Sequence, residues 1–211
     1  MGNSAILDDL STRKITPDDL AEMVIHNIDL LPDIIKGISS DNARIRLGCA
    51  KIIRTVSEKK PDAVYPVSKY FITLLDSENN IIKWNAMDVL ANLAKVDSNK
   101  TIEKIFTKYY DLLTDESMVT AGHVVDNSGK IAIAKPHLTE RITDELLKLD
   151  KIPRNTECKN ILKGKAILAF DAYFEQIENK DAVISFVKKQ LRNKRNATKT
   201  KAKQFLKKYD T

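Results

Sequence analysis

The sequence predicts an all-α fold, a solenoid of about five stacked helix pairs, and three observations carry that prediction. One stretch is written twice. The segment DNARIRLGCAKIIRTVS at 41–57 returns thirty-seven residues later as ENNIIKWNAMDVLANLA at 78–94. Ile45 then falls on Ile82, Arg46 on Lys83, Ile52 on Val89, Ile53 on Leu90 and Val56 on Leu93. The segment just before repeats at the same offset, with Ile34 on Phe71, Ile35 on Ile72 and Ile38 on Leu75. A fixed period of this size marks units that bury their apolar faces by stacking on one another. The second observation is spacing: Ile45, Cys49, Ile52, Ile53 and Val56 follow at four, three, one and three residues, which gathers them on one side of a helix. The third is composition. At 43% hydrophobic and 30% charged, with six Gly and six Pro, the chain has the apolar content of a packed, helix-rich protein.

Taken in order, residues 1–27 form an N-terminal helical segment and 28–211 the repeats, all within one domain, 1–211. A short helix is expected at 4–10. Thr16-Pro17-Asp18-Asp19 then reads as a helix start: Thr caps the free N–H groups, Pro suits the first turn and the acids complement the dipole. Repeat one pairs 28–39, with Pro32 near its start, with 42–58. Repeat two opens at Lys60-Pro61 and runs to Leu75, with Pro66 marking a kink or late start, before a turn at 76–80 and a helix at 80–95. Ser98 or Asn99 is expected to cap a helix to about 113. Its partner at 117–134 gathers Ala121, Val124, Val125, Ser128, Ile131 and Ala132 on one side. Repeat four pairs 137–149 with 157–177, the latter apolar nearly all round and so expected to be covered on both sides. Repeat five pairs 181–192 with 197–209, whose Thr198, Ala202, Phe205, Leu206 and Tyr209 make a single stripe, as suits the cap of a solenoid.

The ends and the composition bound the setting. No apolar run approaches the roughly 20 residues that span a bilayer, and no secretory signal opens the chain, so no membrane partner is expected. Met1 to Ile6 only brushes the myristoylation pattern, because Ile6 stands where Ser or Thr is wanted. Cys49 and Cys158 are far apart and neither sits in a CxxC pair, which points to a reducing, cytoplasmic compartment. The formal charge of +6 is uneven: 180–211 holds eleven Lys or Arg against two acids, so the rest of the chain is net negative. There is no GxGxxG, phosphate loop, GxSxG, HExxH or Cys/His zinc spacing; the chain reads as no enzyme, with no cofactor and no metal.

The paired helices, Ile45-Arg46 and Ile82-Lys83 at the start of each second helix, and Ala50 or Ala86 shortly after, resemble HEAT repeats. Ser128-Gly129-Lys130-Ile131-Ala132 before Pro136 is similar to the junction between two such repeats. The resemblance covers about 28–211 and extends to the related armadillo repeats. It implies a right-handed α-α superhelix whose second helices line a concave, partner-binding surface.

Function is sought in what the core leaves over. On the second helices, opposite the apolar stripe, lie Lys51 in repeat one, Asn85, Asp88 and Asn92 in repeat two, and His123, Asp126, Asn127 and Lys130 in repeat three. A ladder of polar groups across adjacent helices reads either as a protein-binding ridge or as the solvated side of amphipathic helices. A metal or general-base role for His123 with Asp126 would need further ligands or a nucleophile, and none lies within helical reach. Trp84 aligns with Leu47 and is expected to pack between repeats. The basic repeat supplies Lys188, Lys189, Arg192, Lys194, Arg195, Lys199, Lys201, Lys203, Lys207 and Lys208, which read as the charged outer face of a cap or, through all but Lys201 and Lys208, as a nucleic-acid patch. The leading expectation is a protein-interaction scaffold, and the alternative is a nucleic-acid-binding module working through this last repeat.

Overall fold

Why these residues become helices is visible first at their starts. The structure, a computed structural model, describes residues 3–209, so Gly2 of the myristoylation pattern lies outside the described residues. The Asn42 side chain accepts from the N–H groups of Arg44 and Ile45 at 2.9 and 3.4 Å, and Asn79, thirty-seven residues on, accepts from Ile81 and Ile82 at 3.1 and 3.3 Å. Ser117 and Asn155 do the same for the second helices that follow, accepting from Thr120 and Cys158. Two residues before three of these caps, Ser40, Ser77 and Asp115 accept the N–H of the cap itself. Each cap satisfies donors that the first turn leaves without an intrahelical partner. The period is thus carried by polar groups as well as by the core.

The chain divides into two compact units, 1–99 and 100–211. In the first, α1 (Asn3–Ser11), α2 (Pro17–His26) and α3 (Leu31–Gly37) lead to α4 (Ala43–Lys59), which packs against all three and against α7 (Asn80–Leu93). Thr16 begins α2 as expected, its hydroxyl accepting from the Asp19 N–H and donating to the Asp19 carboxylate. Between α4 and α7 the sequence suggests one bent helix. The structure breaks it into α5 (Pro61–Val64) and α6 (Ser68–Thr73), with a 3-10 turn at Tyr65–Val67 where Pro66 lacks the N–H that an α-helix needs. Burial repeats with the sequence: Ile52, Ile53 and Val56 are buried like Val89, Leu90 and Leu93, and Ile34 and Ile38 like Phe71 and Leu75. Burying one such aliphatic side chain is worth about 1.5–3 kcal/mol, so the repeated stripe is the main source of stability.

The second unit holds α8 (Thr101–Asp111), α9 (Met118–Ala134), α10 (Thr139–Leu147), α11 (Thr156–Tyr173), α12 (Lys180–Gln190) and α13 (Asn196–Tyr209). Here α11 lies between α9 and α13, while α10 packs on α9, α11 and α12. The expected cap of α8 is corrected: neither Ser98 nor Asn99 fills it. They belong to a turn in which Tyr65 Oη donates to Asp97 at 2.7 Å and accepts from the Asn99 N–H at 2.8 Å, and the N-cap position before α8 is instead Lys100, with a left-handed φ of 55° and no side-chain cap. Gly164 allows α11 and α13 to approach closely, since a Cβ there would lie 2.6 Å from Thr198 Oγ1. Among the described residues no helix is long and apolar enough to cross a membrane and no strand is formed.

Candidate partner-binding face

Four of the ridge residues lie in the first unit, on α4 and α7. Lys51 Nζ reaches Asp18 of α2 at 2.7 Å, and Arg54 stands 3.5 Å from the mostly buried Asp88. Asn85 donates to the Ile81 carbonyl of its own helix at 2.7 Å. Asn92 is placed differently. It is buried, and its side-chain amide donates to Ser57 Oγ at 3.0 Å and to the Arg54 carbonyl at 3.5 Å, tying α7 to α4. It is therefore a packing residue in the seam between helices. Ile81, at the start of α7, is 43% exposed on this unit's surface, and Trp84 is half-buried, as is its counterpart Leu47.

The second unit carries the more developed face. On α9, Val119, His123, Asp126, Lys130 and Ile133 follow at four, three, four and three residues, one stripe along the helix. Val119 and Ile133 are half exposed, Asp126 and Lys130 exposed and His123 partly buried. Asn127 leaves the stripe: it is buried beside Ser128, whose hydroxyl donates to the Val124 carbonyl and meets Tyr110 Oη at 3.0 Å. Two of the three asparagines expected on the ridge, Asn92 and Asn127, thus do not reach its surface, while Asn85 is half-buried. Asp126 is ion-paired to Lys165 on α11, one repeat later. One turn beyond Lys165, Leu168 is 50% exposed, although α11 was expected to be covered on both sides.

Between α11 and α13 the face opens into a cleft of about 160 Å³, with Leu168, Lys201, Gln204 and Lys208 around it, Asp171 beside them and Ile167 and Phe205 beneath. Lys208 Nζ pairs with Asp171 at 2.9 Å, and its hydrogen bonds to Tyr209 and Asp171 hold it charged, above the ordinary lysine range. Lys201 is pushed the other way, by partial burial first and then by the neighbouring charge of Lys165, with Asp126 opposing. Lys201, partly withdrawn from water and beside the charge of Lys165, makes a place where an incoming carboxylate is favoured. Sequence reading marks Lys201 and Lys208 only as part of the basic last repeat and Leu168 only as an apolar residue of α11, and it does not mark Lys165. The signal was there: Asp126–Lys165 and Asp171–Lys208 are separated by 39 and 37 residues, one repeat each.

Among the described residues no group of three or more His, Cys, Asp or Glu is arranged to hold a metal ion. Of the basic patch, Lys188, Lys189, Arg192, Lys194, Lys203 and Lys207 are exposed and Lys199 half-buried. Arg195 is held by Glu157 at 2.6 Å. The aromatic rings of this repeat face inward. Phe186 and Phe205 are buried, and the half-buried Tyr209 packs at a tilt against Phe174 and Phe205.

Helix pairs with periodic caps, a repeated core and second helices packed side by side define an armadillo/HEAT-like helical-repeat fold. Comparison with solved structures agrees. A designed armadillo repeat protein is 18% identical, covers 97% of this chain and 92% of its own, and superposes with a TM-score of 0.55. A second designed armadillo repeat protein, solved in complex with peptide (KR)4, is 16% identical over 97% of this chain and 91% of its own, also at 0.55. An engineered protein at 14% identity matches 95% of this chain and 86% of its own, at 0.55. No family model matches the chain, and no curated protein does.

Proposed function

We propose that this chain is a non-catalytic, cytoplasmic interaction scaffold that holds a segment of a partner protein against the exposed face of its second helices. One observation carries the reading: in the second unit, half-exposed Val119, Ile133 and Leu168 stand among Asp126, Lys130, Lys165 and Lys201 on neighbouring helices. Apolar side chains held in water beside ordered charges are costly to leave uncovered and suit a peptide that brings both kinds of group. The designed armadillo repeat protein bound to (KR)4 supports an extended peptide as the type of ligand. Its peptide is basic, whereas the face here sets Lys130, Lys165, Lys201 and Lys208 against Asp126 and Asp171, which favours an acidic segment. The two distant, unpaired cysteines support a reducing compartment.

A photo-crosslinking amino acid at Leu168, with another at exposed Asp62 as control, tests this in native lysate with and without nuclease. A protein adduct formed from 168 but not from 62, unaffected by nuclease and lost on Lys165→Glu/Lys201→Glu, is expected. Equal adducts from both positions, or none from 168, would falsify the proposal.

A further inference from the structure

The basic residues of the last repeat are not spread evenly over a solvated cap. Ile184, Leu191 and Leu206 line a groove along α12 and the adjoining part of α13, with a volume of about 760 Å³, and Lys188, Lys189 and Arg192 stand around it. The α12 residues among them recur at helical spacing on the face opposite buried Val183, Phe186, Val187 and Gln190. Within this unit, α10 is covered by α12 and α11 by α13. The groove is the corresponding seam on the far side of α12 and α13, and Leu191 is 39% exposed in it.

We propose that this groove is a second docking site, separate from the second-helix face, for an amphipathic helical segment of a partner protein that carries carboxylates beside its apolar stripe. The occupant follows from charge and shape. The groove's own acid is Asp181 at the start of α12, and a neutral or basic segment would leave Lys189 and Arg192 without a counter-charge. Among the described residues neither Lys189 nor Arg192 has an ion-pair partner, in contrast to Arg195 with Glu157. Apolar walls want an apolar stripe, and a helix laid in a groove supplies one at every third or fourth residue. The same walls disfavour nucleic acid, which would bring phosphates and bases. Base stacking would need accessible rings, and Phe186 and Phe205 are buried.

The test uses the full chain and three fluorescent probes of stated chemistry. These are a 14-residue amphipathic peptide with Leu at i, i+3, i+4 and i+7 and Glu between, a scramble of the same composition, and a 20-nucleotide single-stranded DNA. Anisotropy is expected to show the amphipathic peptide binding at least tenfold more tightly than the scramble. Leu191→Glu and the pair Lys189→Glu/Arg192→Glu should each weaken it at least tenfold, while Lys104→Glu, at an exposed position of α8 outside both faces, leaves it unchanged. Because all these positions are exposed or half-exposed, unchanged helical circular dichroism should accompany each variant. No binding of the peptide, equal binding of the scramble, or tighter binding of DNA that the same charge reversals abolish would overturn the proposal.

Discussion

Cys49 sits on α4 with no exposed surface, and its sulfur lies where a Cβ on Gly37 would be, 2.4 Å away, so α3 and α4 meet at the thiol. Burial pushes its pKa from 9.0 up to about 12, because the thiolate would lose its hydration without a compensating partner. The sign of the consequence follows from the two states. Below pH 9.0 both folded and unfolded chains keep the proton, and the contribution is fully present. Above it the unfolded chain releases its proton while the folded chain keeps it until about pH 12, so stability falls as the solution becomes alkaline. Burial raises Tyr110 and Tyr173 in the same direction. Between pH 8 and 11, urea unfolding should therefore cost the wild type on the order of 2 kcal/mol more stability than it costs Cys49→Ala. Equal losses would show that the thiol is not held protonated by the fold. In the native protein at pH 8, half-buried Cys158 should react with a thiol reagent while Cys49 should not.

Between elements, two kinds of polar contact recur at about one repeat's separation, and their magnitudes differ. Arg154, in the loop before α11, donates to the carbonyls of Leu113 and Ser117 at 3.3 Å, and also to those of Asp115 and Glu116, in the turn that precedes α9. Carbonyls in a turn between helices have few backbone donors, and hydrogen bonds to them from a charged donor are worth about 1.5–3 kcal/mol. Asp126 and Lys165 instead meet on the surface, where an ion pair is worth about 0–1 kcal/mol and weakens with salt. Arg154→Met should thus lower the urea midpoint clearly and independently of salt, whereas Asp126→Asn should shift it slightly and only at low salt. Equal effects, measured at 0.05 and 0.5 M NaCl, would remove the distinction. These contacts also mark the limit of what the sequence makes legible. Apolar periodicity finds the helix pairs and their order, and the caps Asn42, Asn79, Ser117 and Asn155 carry the same period without being needed for it. It does not find the width of the exposed arc. Helix α11 packs on α9, α13 and α10, so only a narrow strip meets water, and Leu168 stands on it despite its apolar surroundings. By the same geometry Asn92 and Asn127, polar in sequence, fall into the covered flanks of their helices. A hydrophobicity pattern divides a helix into two sides, whereas a stacked helix has three covered sides and one open one.

At the scale of the whole chain the question is how far the repeat register acts as one body. The sequence reading takes 1–211 as a single domain, and the spacing of caps from Asn79 to Ser117 and on to Asn155 is 38 residues each time, with no interruption near 99. In a solenoid, stability is the sum of repeat terms and nearest-neighbour interfaces, so an unbroken register couples each pair to the next. We propose that the chain unfolds as one cooperative unit. Helical proteins absorb about 0.7 kcal/mol per residue near 60 °C, which makes the expected calorimetric enthalpy about 150 kcal/mol for this length. One transition should appear, with a van't Hoff enthalpy close to that value. If 1–99 and 100–211 melt separately, the van't Hoff enthalpy falls to about half of the calorimetric one, because each unit then carries its own transition. A peptide bound to the second-helix face of the second unit separates the cases further: it raises the single transition of a coupled chain, but only one of two transitions in an uncoupled one.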